Sequence, residues 1–241
     1  MMEGLVGQEP SRNDFTTVSI RLRYIHLFMF TTRTLLEGRW PLIILAALSA
    51  ATILWCPVWW AFALPLALLA FTISFFRDPE RHVPADAKLI VAPADGRIVE
   101  IKTVQEPHFL KGEGRMVAIF LSVFDVHVQR APIDGEIKFV QYNKGQFLDA
   151  RNPQASLANE NRVVGLESAD GFRVTVRQIA GLIARRIVGW ADTGAQLTKG
   201  ERFGMIRFGS RVELILPPGT EITVKVGDFM KGGETILGRK P

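Results

Sequence analysis

Three short stretches carry side chains that could take part in catalysis. Ser210 follows Gly209 inside the apolar run RFGMIRFGSRVELIL, His127 lies in SVFDVHVQRAP, and Asp95 lies in APADGRI. A serine hydroxyl becomes a nucleophile when a base takes its proton, histidine is the most common such base, and a carboxylate can position or polarise both groups. Together these residue types suit attack by a serine on a carbonyl carbon.

Each of these residues also has a purely structural interpretation. Alternation in SVFDVHVQRAP predicts a strand with Phe124 on its apolar face and His127 on the opposite face, where a histidine is often a surface residue. Asp95 belongs to an Asp-Gly pair, which is favoured in hairpin turns. Gly209 and Ser210 fit a bulge or a tight bend between two strands.

A long apolar segment indicates a membrane anchor. The 36 residues from Pro41 to Phe76 include no Asp, Glu, Lys or Arg. As one helix they would be about 54 Å long, against a hydrocarbon core of about 30 Å. We therefore expect a helical hairpin that turns at WCPVWW, with a short first arm over residues 41–55 and a longer second arm over residues 58–76. Basic residues on both sides predict that both ends are cytoplasmic and that the protein lies at the inner membrane.

The rest of the chain suggests one β-rich domain. Residues 1–40 are expected to be interfacial or disordered, residues 41–82 form the hairpin, and residues 83–241 contain short β-branched runs between Gly, Pro and Asp. The segments GAQLTKGERFG and GDFMKGGETILG share turn residues that resemble those of lipoyl-like domains. The predicted fold class is β-rich α+β, a lipoyl-like barrel-sandwich catalytic domain with an N-terminal hydrophobic helical hairpin. A net charge of +5 suits an anionic partner, either nucleic acid or phospholipid headgroups. The long apolar segment favours the membrane, so no nucleic-acid partner is expected.

Viewed together, the motifs resemble the pyruvoyl-dependent phosphatidylserine decarboxylases, in particular their short bacterial form. The resemblance covers about residues 40–241 and has its most specific motif near the C-terminus. The motifs that carry it are, in order, FFRDPER, APADGRIVEI, VFDVHVQRAPIDGEI, QIAGLIARRIV, KGERFGMIRFGSRVELILP and VKVGDFMKGGETILG.

This resemblance implies self-cleavage of a proenzyme between Gly209 and Ser210. The Ser210 hydroxyl would attack the Gly209 carbonyl, and elimination from the resulting ester would leave a pyruvoyl group at the new N-terminus. The products would be a large chain, 1–209, and a small chain, 210–241, which stay together, and whether this unit dimerises is left open. The pyruvoyl group would form a Schiff base with phosphatidylserine and release CO2 and phosphatidylethanolamine, without a metal or pyridoxal phosphate.

The resemblance also suggests roles for individual residues. His127 is the expected acid or base, and Asp95 is expected to help position or polarise groups during cleavage. Longer family members carry D-x-H-x-x-H-x-P, and here Arg130 replaces the second histidine. The cleavage base is therefore assigned to His127, Asp95 or a water molecule. Arg130 is a candidate ligand for the substrate phosphate or carboxylate, with a structural salt bridge as the alternative.

Two other classes of function remain as alternatives. A membrane-tethered, lipoyl-like adaptor without catalysis would explain the hairpin and the turns, but Lys231 in FMKGGE lacks the usual neighbours of a modified lysine. A membrane serine hydrolase would use Ser210, His127 and Asp95 on an external substrate, but Ser210 has no G-x-S-x-G elbow.

Overall fold

The structure is a computed structural model that describes residues 30–55, 61–152, 154–182, 186–207 and 210–241. It consists of two apolar helices followed by a β-rich domain with one short helix. The helices are α1 (Thr32–Trp55), α2 (Ala63–Phe75) and α3 (Ala155–Ala158). The strands are β1 (Leu89–Val91), β2 (Gly96–Glu106), β3 (Gly112–Leu121), β4 (Val128–Arg130), β5 (Gly135–Asn143), β6 (Asn161–Glu167), β7 (Arg173–Ile179), β8 (Ile187–Gly189), β9 (Gln196–Leu197), β10 (Arg202–Ile206), β11 (Ser210–Leu216), β12 (Glu221–Ile222), β13 (Phe229–Met230) and β14 (Ile236–Arg239).

The two arms of the apolar segment differ from the prediction. The first helix begins at Thr32 rather than at Pro41, because Thr31 and Thr34 cap it reciprocally: Thr31 N donates to Thr34 Oγ1 (3.1 Å) and Thr34 N to Thr31 Oγ1 (3.4 Å). At 24 residues α1 is about 36 Å long, whereas the 13 residues of α2 span about 20 Å. The first arm is therefore the longer one. The predicted turn at residues 56–60 and the N-terminal segment 1–29 lie outside the described residues.

Three antiparallel sheets enclose the main core. The eight-stranded sheet has the order β13-β2-β3-β11-β7-β6-β5-β9, and two three-stranded sheets have the orders β1-β14-β12 and β4-β10-β8. Alternate residues of the large sheet share one buried cluster with residues of both small sheets, among them Val212 and Leu214 of β11, Ile90 of β1 and Phe203 of β10. One face of the large sheet thus packs against the small sheets, and the predicted β-rich domain is confirmed.

The β-rich domain contains an internal repeat with approximate two-fold symmetry. The pattern A-P-x-D-G-x-I occurs at residues 92–98 and again at 131–137. Asp95 Oδ1 accepts a hydrogen bond from Gly232 N, and Asp134 Oδ1 accepts one from Lys199 N, both at 2.8 Å. Equivalent backbone hydrogen bonds join the copies: Val91 N to Pro132 O (3.0 Å), Arg130 N to Pro93 O (2.9 Å), Gly233 N to Ala92 O (2.8 Å) and Gly200 N to Ala131 O (2.8 Å).

The two similar turn segments noted in the sequence occupy corresponding positions of this repeat. Each starts at a glycine with positive φ, continues into a two-residue strand and reaches a second glycine with positive φ. These glycines are Gly194 (91°), Gly200 (80°), Gly227 (97°) and Gly233 (77°). Such φ values favour glycine, which explains the shared pattern.

Candidate active site

Ser210 is the first residue of β11, which lies in the middle of the eight-stranded sheet between β3 and β7. It pairs with Leu121, the last residue of β3. Because Val212 and Leu214 point into the main core, alternation directs the Ser210 side chain to the same face. The side chain is fully buried, and within the described part of the chain its Oγ has no hydrogen-bond partner. A buried hydroxyl without a partner costs about 1–3 kcal/mol, so this one requires an explanation.

The chain changes sheets between Ile206 and Ser210. Strand β10 belongs to a three-stranded sheet and β11 to the eight-stranded sheet, so the predicted pair of strands is present but is not a hairpin. Residues 122–127, called the histidine loop below, connect β3 to β4. At one end of this loop Leu121 pairs with Ser210, and at the other end His127 O accepts a hydrogen bond from Ile206 N (3.2 Å). The loop therefore bridges both sides of the predicted cleavage site, although Gly209 itself lies outside the described residues.

His127 is buried, which corrects the prediction that it faces away from the apolar side of a strand. The regular strand begins only at Val128, because Ser122 N donates to Asp125 Oδ2 (2.7 Å) and Asp125 N donates to Ser122 O (3.0 Å), which closes a turn. As a result His127 is 0% exposed, whereas Phe124, predicted on the apolar face, is 73% exposed.

The surroundings of His127 favour the neutral imidazole. Its ring centroid lies 4.2 Å from that of Phe75, the last residue of α2. Burial lowers the pKa of His127 from 6.5 to about 4; the Asp125 carbonyl opposes this shift and the charge of Arg77 adds to it. Nδ1 lies 2.9 Å from the carbonyl oxygen of Asp125, which can only accept, so Nδ1 carries the proton and Nε2 the lone pair. At neutral pH the ring can therefore act as a base through Nε2.

Buried side-chain amides hold the backbone of His127 in place. Gln129 Nε2 donates to His127 O and Gln178 Nε2 donates to Gln129 Oε1, both at 2.8 Å. Arg162 Nη1 in turn donates to Gln178 Oε1 (3.1 Å). This chain connects the histidine loop to β7 and β6.

Asp95 lies in a bend between β1 and β2, which belong to different sheets, so its Asp-Gly pair does not form a hairpin turn. Its carboxylate binds Arg81 Nη2 (2.8 Å) and accepts from Gly232 N (2.8 Å). Burial raises the pKa of Asp95, and the Arg81 charge and these hydrogen bonds oppose the shift. Strand β3 separates β2 from β11, so the backbone of Asp95 is about 10 Å from that of Ser210 at the same end of the sheet. Among the described residues, neither His127 nor Ser210 is a hydrogen-bond partner of Asp95.

Arg130 forms the structural salt bridge that the sequence left as an alternative. Its Nη2 lies 2.6 Å from Asp78 Oδ1 and 2.9 Å from Pro79 O, and its Nη1 donates to Gly200 O (3.1 Å). The side chain is 4% exposed. These contacts support a structural role, and binding of substrate by Arg130 stays a prediction.

Sequence reasoning missed the roles of residues 75–81, the segment FFRDPER that follows the second helix. One residue of this segment contacts each predicted side chain outside the cleavage site: Phe75 packs on His127, Asp78 pairs with Arg130, and Arg81 pairs with Asp95. The signal in the sequence was the sudden appearance of Arg, Asp and Arg after a long uncharged run. The base of the apolar hairpin is thus part of the candidate site.

Comparison with known proteins shows which family the chain belongs to. The sequence profile of the family described as phosphatidylserine decarboxylase matches residues 68–238. A phosphatidylserine decarboxylase proenzyme of Symbiobacterium thermophilum is 46% identical over 206 residues, which cover 85% of this chain and 94% of the relative. Proenzymes of the same name from Citrifermentans bemidjiense (51% over 174 residues, 72% and 79% covered) and Nitrosomonas eutropha (46% over 202 residues, 83% and 92% covered) are also similar. With its profile match across the whole candidate site, the chain belongs to the phosphatidylserine decarboxylase family.

Proposed function

We propose that the protein decarboxylates phosphatidylserine to phosphatidylethanolamine, using a pyruvoyl group that it makes from its own Ser210. The observation that carries this proposal is the buried Ser210 hydroxyl, which has no hydrogen-bond partner among the described residues, at a strand end that the histidine loop bridges. Family membership supplies the substrate, because the relatives are named phosphatidylserine decarboxylase proenzymes. The word proenzyme in those names supports cleavage into two chains.

The first reaction is cleavage between Gly209 and Ser210. The Ser210 hydroxyl adds to the Gly209 carbonyl carbon, the C–N bond breaks as the C–O bond remains, and an ester replaces the amide. Loss of the Cα proton of residue 210 expels the Gly209 carboxylate and leaves dehydroalanine. Its imine tautomer takes up one water and releases ammonia, which leaves a ketone. We assign the proton transfers to Nε2 of His127, because its ring is neutral at physiological pH and its loop holds both sides of the cleaved bond.

The large and small chains should remain associated after cleavage. Strand β11 pairs with β3 and β7, and the small chain also supplies β12, β13 and β14. The side chain of Arg211, next to the new terminus, is buried and binds Glu213 Oε1 (2.8 Å) and Glu100 Oε2 (2.6 Å). Residue 210 would therefore keep its position after cleavage.

When present, the pyruvoyl group supplies an electrophilic carbonyl that accepts the electrons released as CO2 leaves. The described residues fit such a group, since Ser210 is buried beside the histidine loop and its hydroxyl is uncommitted. His127 would hold one proton at Nδ1 and exchange another at Nε2. Asp95 would act at a distance, by fixing Arg81 and Gly232 around the bend before β2.

We also propose that the helical hairpin holds the catalytic domain, residues 83–241, on the cytoplasmic face of the inner membrane. Helix α1 is the one described helix long and apolar enough to span a bilayer. Many large apolar side chains of α1 and α2 are exposed, including Trp55 (86%) and Leu64 (69%), and an apolar surface of this kind suits contact with lipid. A lipoyl-like barrel-sandwich fold for the domain is supported by its two-fold repeat of aspartate and glycine turns.

The two alternatives have less support. Family membership does not support the adaptor, and Lys231 is engaged with Glu234 (3.6 Å). A serine hydrolase would need a carboxylate on Nδ1 of His127, but that atom faces the Asp125 carbonyl and Asp95 binds Arg81.

Purified protein tests the proposal directly. Wild-type protein should separate into a large and a small chain, and the intact mass of the small chain should be lower than that of residues 210–241 by one ammonia. Ser210→Ala should remain a single, folded and inactive chain, because it removes only a hydroxyl that bonds to none of the residues the structure describes. His127→Ala should lose decarboxylation. An uncleaved wild-type chain that still releases CO2 from phosphatidylserine would contradict the mechanism.

A further inference from the structure

A phospholipid substrate brings an anionic phosphate close to the reacting headgroup, and the site needs a cation to receive it. Arg130 is a poor candidate because it is buried and bound to Asp78. Arg81 is likewise committed to Asp95, and its side chain is 7% exposed. In each ion pair the arginine is therefore committed to a contact within the protein.

Arg77 differs from these arginines. Its Nη1 donates to Ser74 O (2.8 Å) and Ser74 Oγ (3.2 Å), and its Nη2 donates to Phe124 O (2.5 Å). Within the described ranges Arg77 has no carboxylate within salt-bridge distance. These contacts orient the guanidinium but leave its charge uncompensated. A guanidinium with remaining N–H groups suits a phosphate, which it can bind through two parallel hydrogen bonds.

The position of Arg77 relative to the reaction is also suitable. Its contact with Phe124 fixes it against the histidine loop, whose last residue is His127. The charge of Arg77 is close enough to lower the pKa of His127. An anion bound to Arg77 would therefore lie beside the loop that carries the proposed proton-transfer residue.

The place of Arg77 in the chain suits a position near lipid phosphates. It is the first charged residue after the uncharged run that ends at Phe76. Next to it Phe124 is 73% exposed and packs edge-on against Phe71 of α2, with ring centroids 6.1 Å apart. An exposed aromatic ring beside an apolar helix, on a residue whose backbone contacts a cation, is an arrangement expected at a membrane interface.

We propose that Arg77 binds the phosphate of the phospholipid substrate at the membrane surface, while Phe124 enters the acyl region beside α2. This inference rests on the proposed decarboxylase function and adds a headgroup-binding residue to it. It assigns to Arg77 the phosphate contact that the sequence had suggested for Arg130.

Kinetics in mixed detergent micelles test the assignment. Arg77→Gln should cleave itself normally, but its KM for phosphatidylserine, expressed as surface concentration, should rise about tenfold or more, as expected for losing a hydrogen-bonded charge pair. The value of kcat should change much less, and Arg77→Lys should lie between Arg77→Gln and wild type. Arg115→Gln is the matched control, because Arg115 is exposed and pairs with Leu216 at the far end of β3 from Ser210, and it should leave KM unchanged.

Product inhibition distinguishes the phosphate from the carboxylate of the substrate. Phosphatidylethanolamine keeps the phosphate and lacks the carboxylate, so its inhibition constant should rise in Arg77→Gln by a factor similar to that for KM. Unchanged inhibition would overturn phosphate binding and indicate contact with the carboxylate. Unchanged KM would overturn the site altogether. If Arg77→Gln fails to cleave itself, KM for phosphatidylserine and the inhibition constant of phosphatidylethanolamine are measured in Arg77→Lys instead. Failure of wild type and Arg115→Gln to use phosphatidylserine would instead overturn the proposed function.

Discussion

The aromatic ring of Phe75 lies 4.2 Å from the imidazole of His127, and this contact joins the end of an apolar helix to the proposed base. Phe75 and the neighbouring Phe76 are both 1% exposed, but Phe76 packs on Gly38 of α1. The hairpin is thus in direct contact with the group whose protonation should control the reaction. It would serve as part of the active site as well as an anchor.

The first prediction concerns the pH dependence of decarboxylation. Burial lowers the pKa of His127 to about 4, so the neutral base persists in mildly acidic solution and activity should fall only near pH 4. Phe75→Ala admits water to the imidazole ring, so the pH below which kcat falls should rise from about 4 toward 6.5. Phe76→Ala creates a comparable cavity one ring farther from His127, between Phe75 and Gly38, and should raise this pH much less. If kcat falls at the same pH in both variants, the role assigned to Phe75 is contradicted.

The same pKa predicts how stability depends on pH. Because the folded-state pKa of His127 is below its unfolded value of 6.5, unfolding takes up a proton below pH 6.5. The contribution is fully present above pH 6.5 and is lost as the pH falls toward 4, by about 3 kcal/mol in the free energy of unfolding. Denaturant unfolding of Ser210→Ala in detergent measures the loss. Ser210→Ala/His127→Gln has the same carboxylates, so a smaller loss in this double variant isolates the histidine.

Local sequence patterns predicted the elements around the cleavage site better than the contacts between them. Strands β10 and β11 and the β-rich domain follow from short apolar runs, and the structure confirms them. The alternation of SVFDVHVQRAP led to the wrong side for His127, because a turn closed by the Asp125 side chain interrupts the strand. Such a turn depends on local hydrogen bonds, one of them to a side chain, that periodicity does not reveal.

Local sequence patterns could not predict contacts between distant segments of the chain. The pairing of Asp95 with Arg81 depends on how residues 75–81 cross the domain after leaving α2. The repeat of A-P-x-D-G-x-I was visible in the sequence, but its meaning required the hydrogen bonds of Asp95 and Asp134 to be compared. Sequence therefore located the candidate residues, and tertiary packing decided which of them meet.

The repeat provides a control for the role of Asp95. Asp95→Asn and Asp134→Asn each weaken the same kind of hydrogen bond to a backbone N–H, so a purely structural role predicts similar effects. Asp95→Asn also removes the charge that holds Arg81, and we expect it to slow self-cleavage by about tenfold or more, the kinetic equivalent of losing about 1.4 kcal/mol. Asp134→Asn should cleave at the wild-type rate. The cleaved fraction during a time course after synthesis, read from gels, provides the comparison, and equal rates would indicate that Asp95 only shapes the bend.

An ion pair between the first helix and the strand before the cleavage site gives the last prediction. Arg207 follows β10 and binds Glu37 of α1 through Nη2, and both side chains are largely buried, at 22% and 19% exposure. Glu37→Gln leaves the guanidinium without its carboxylate and should loosen the segment that leads to Gly209, so that self-cleavage slows by about tenfold. Decarboxylation per cleaved molecule should change little, because the new terminus is held by β11 and the Arg211 pairs.

The control for Glu37→Gln is Glu80→Gln. Glu80 pairs with Arg202 at 3.3 Å, but its side chain is 77% exposed, and exposed ion pairs contribute little. Both variants lose one carboxylate, so any general effect of charge on cleavage should appear in both. If Glu37→Gln cleaves as fast as Glu80→Gln, the first helix does not position the cleavage segment. A slow Glu37→Gln whose mature form has normal kcat would show that the helix acts on maturation rather than on turnover of the lipid.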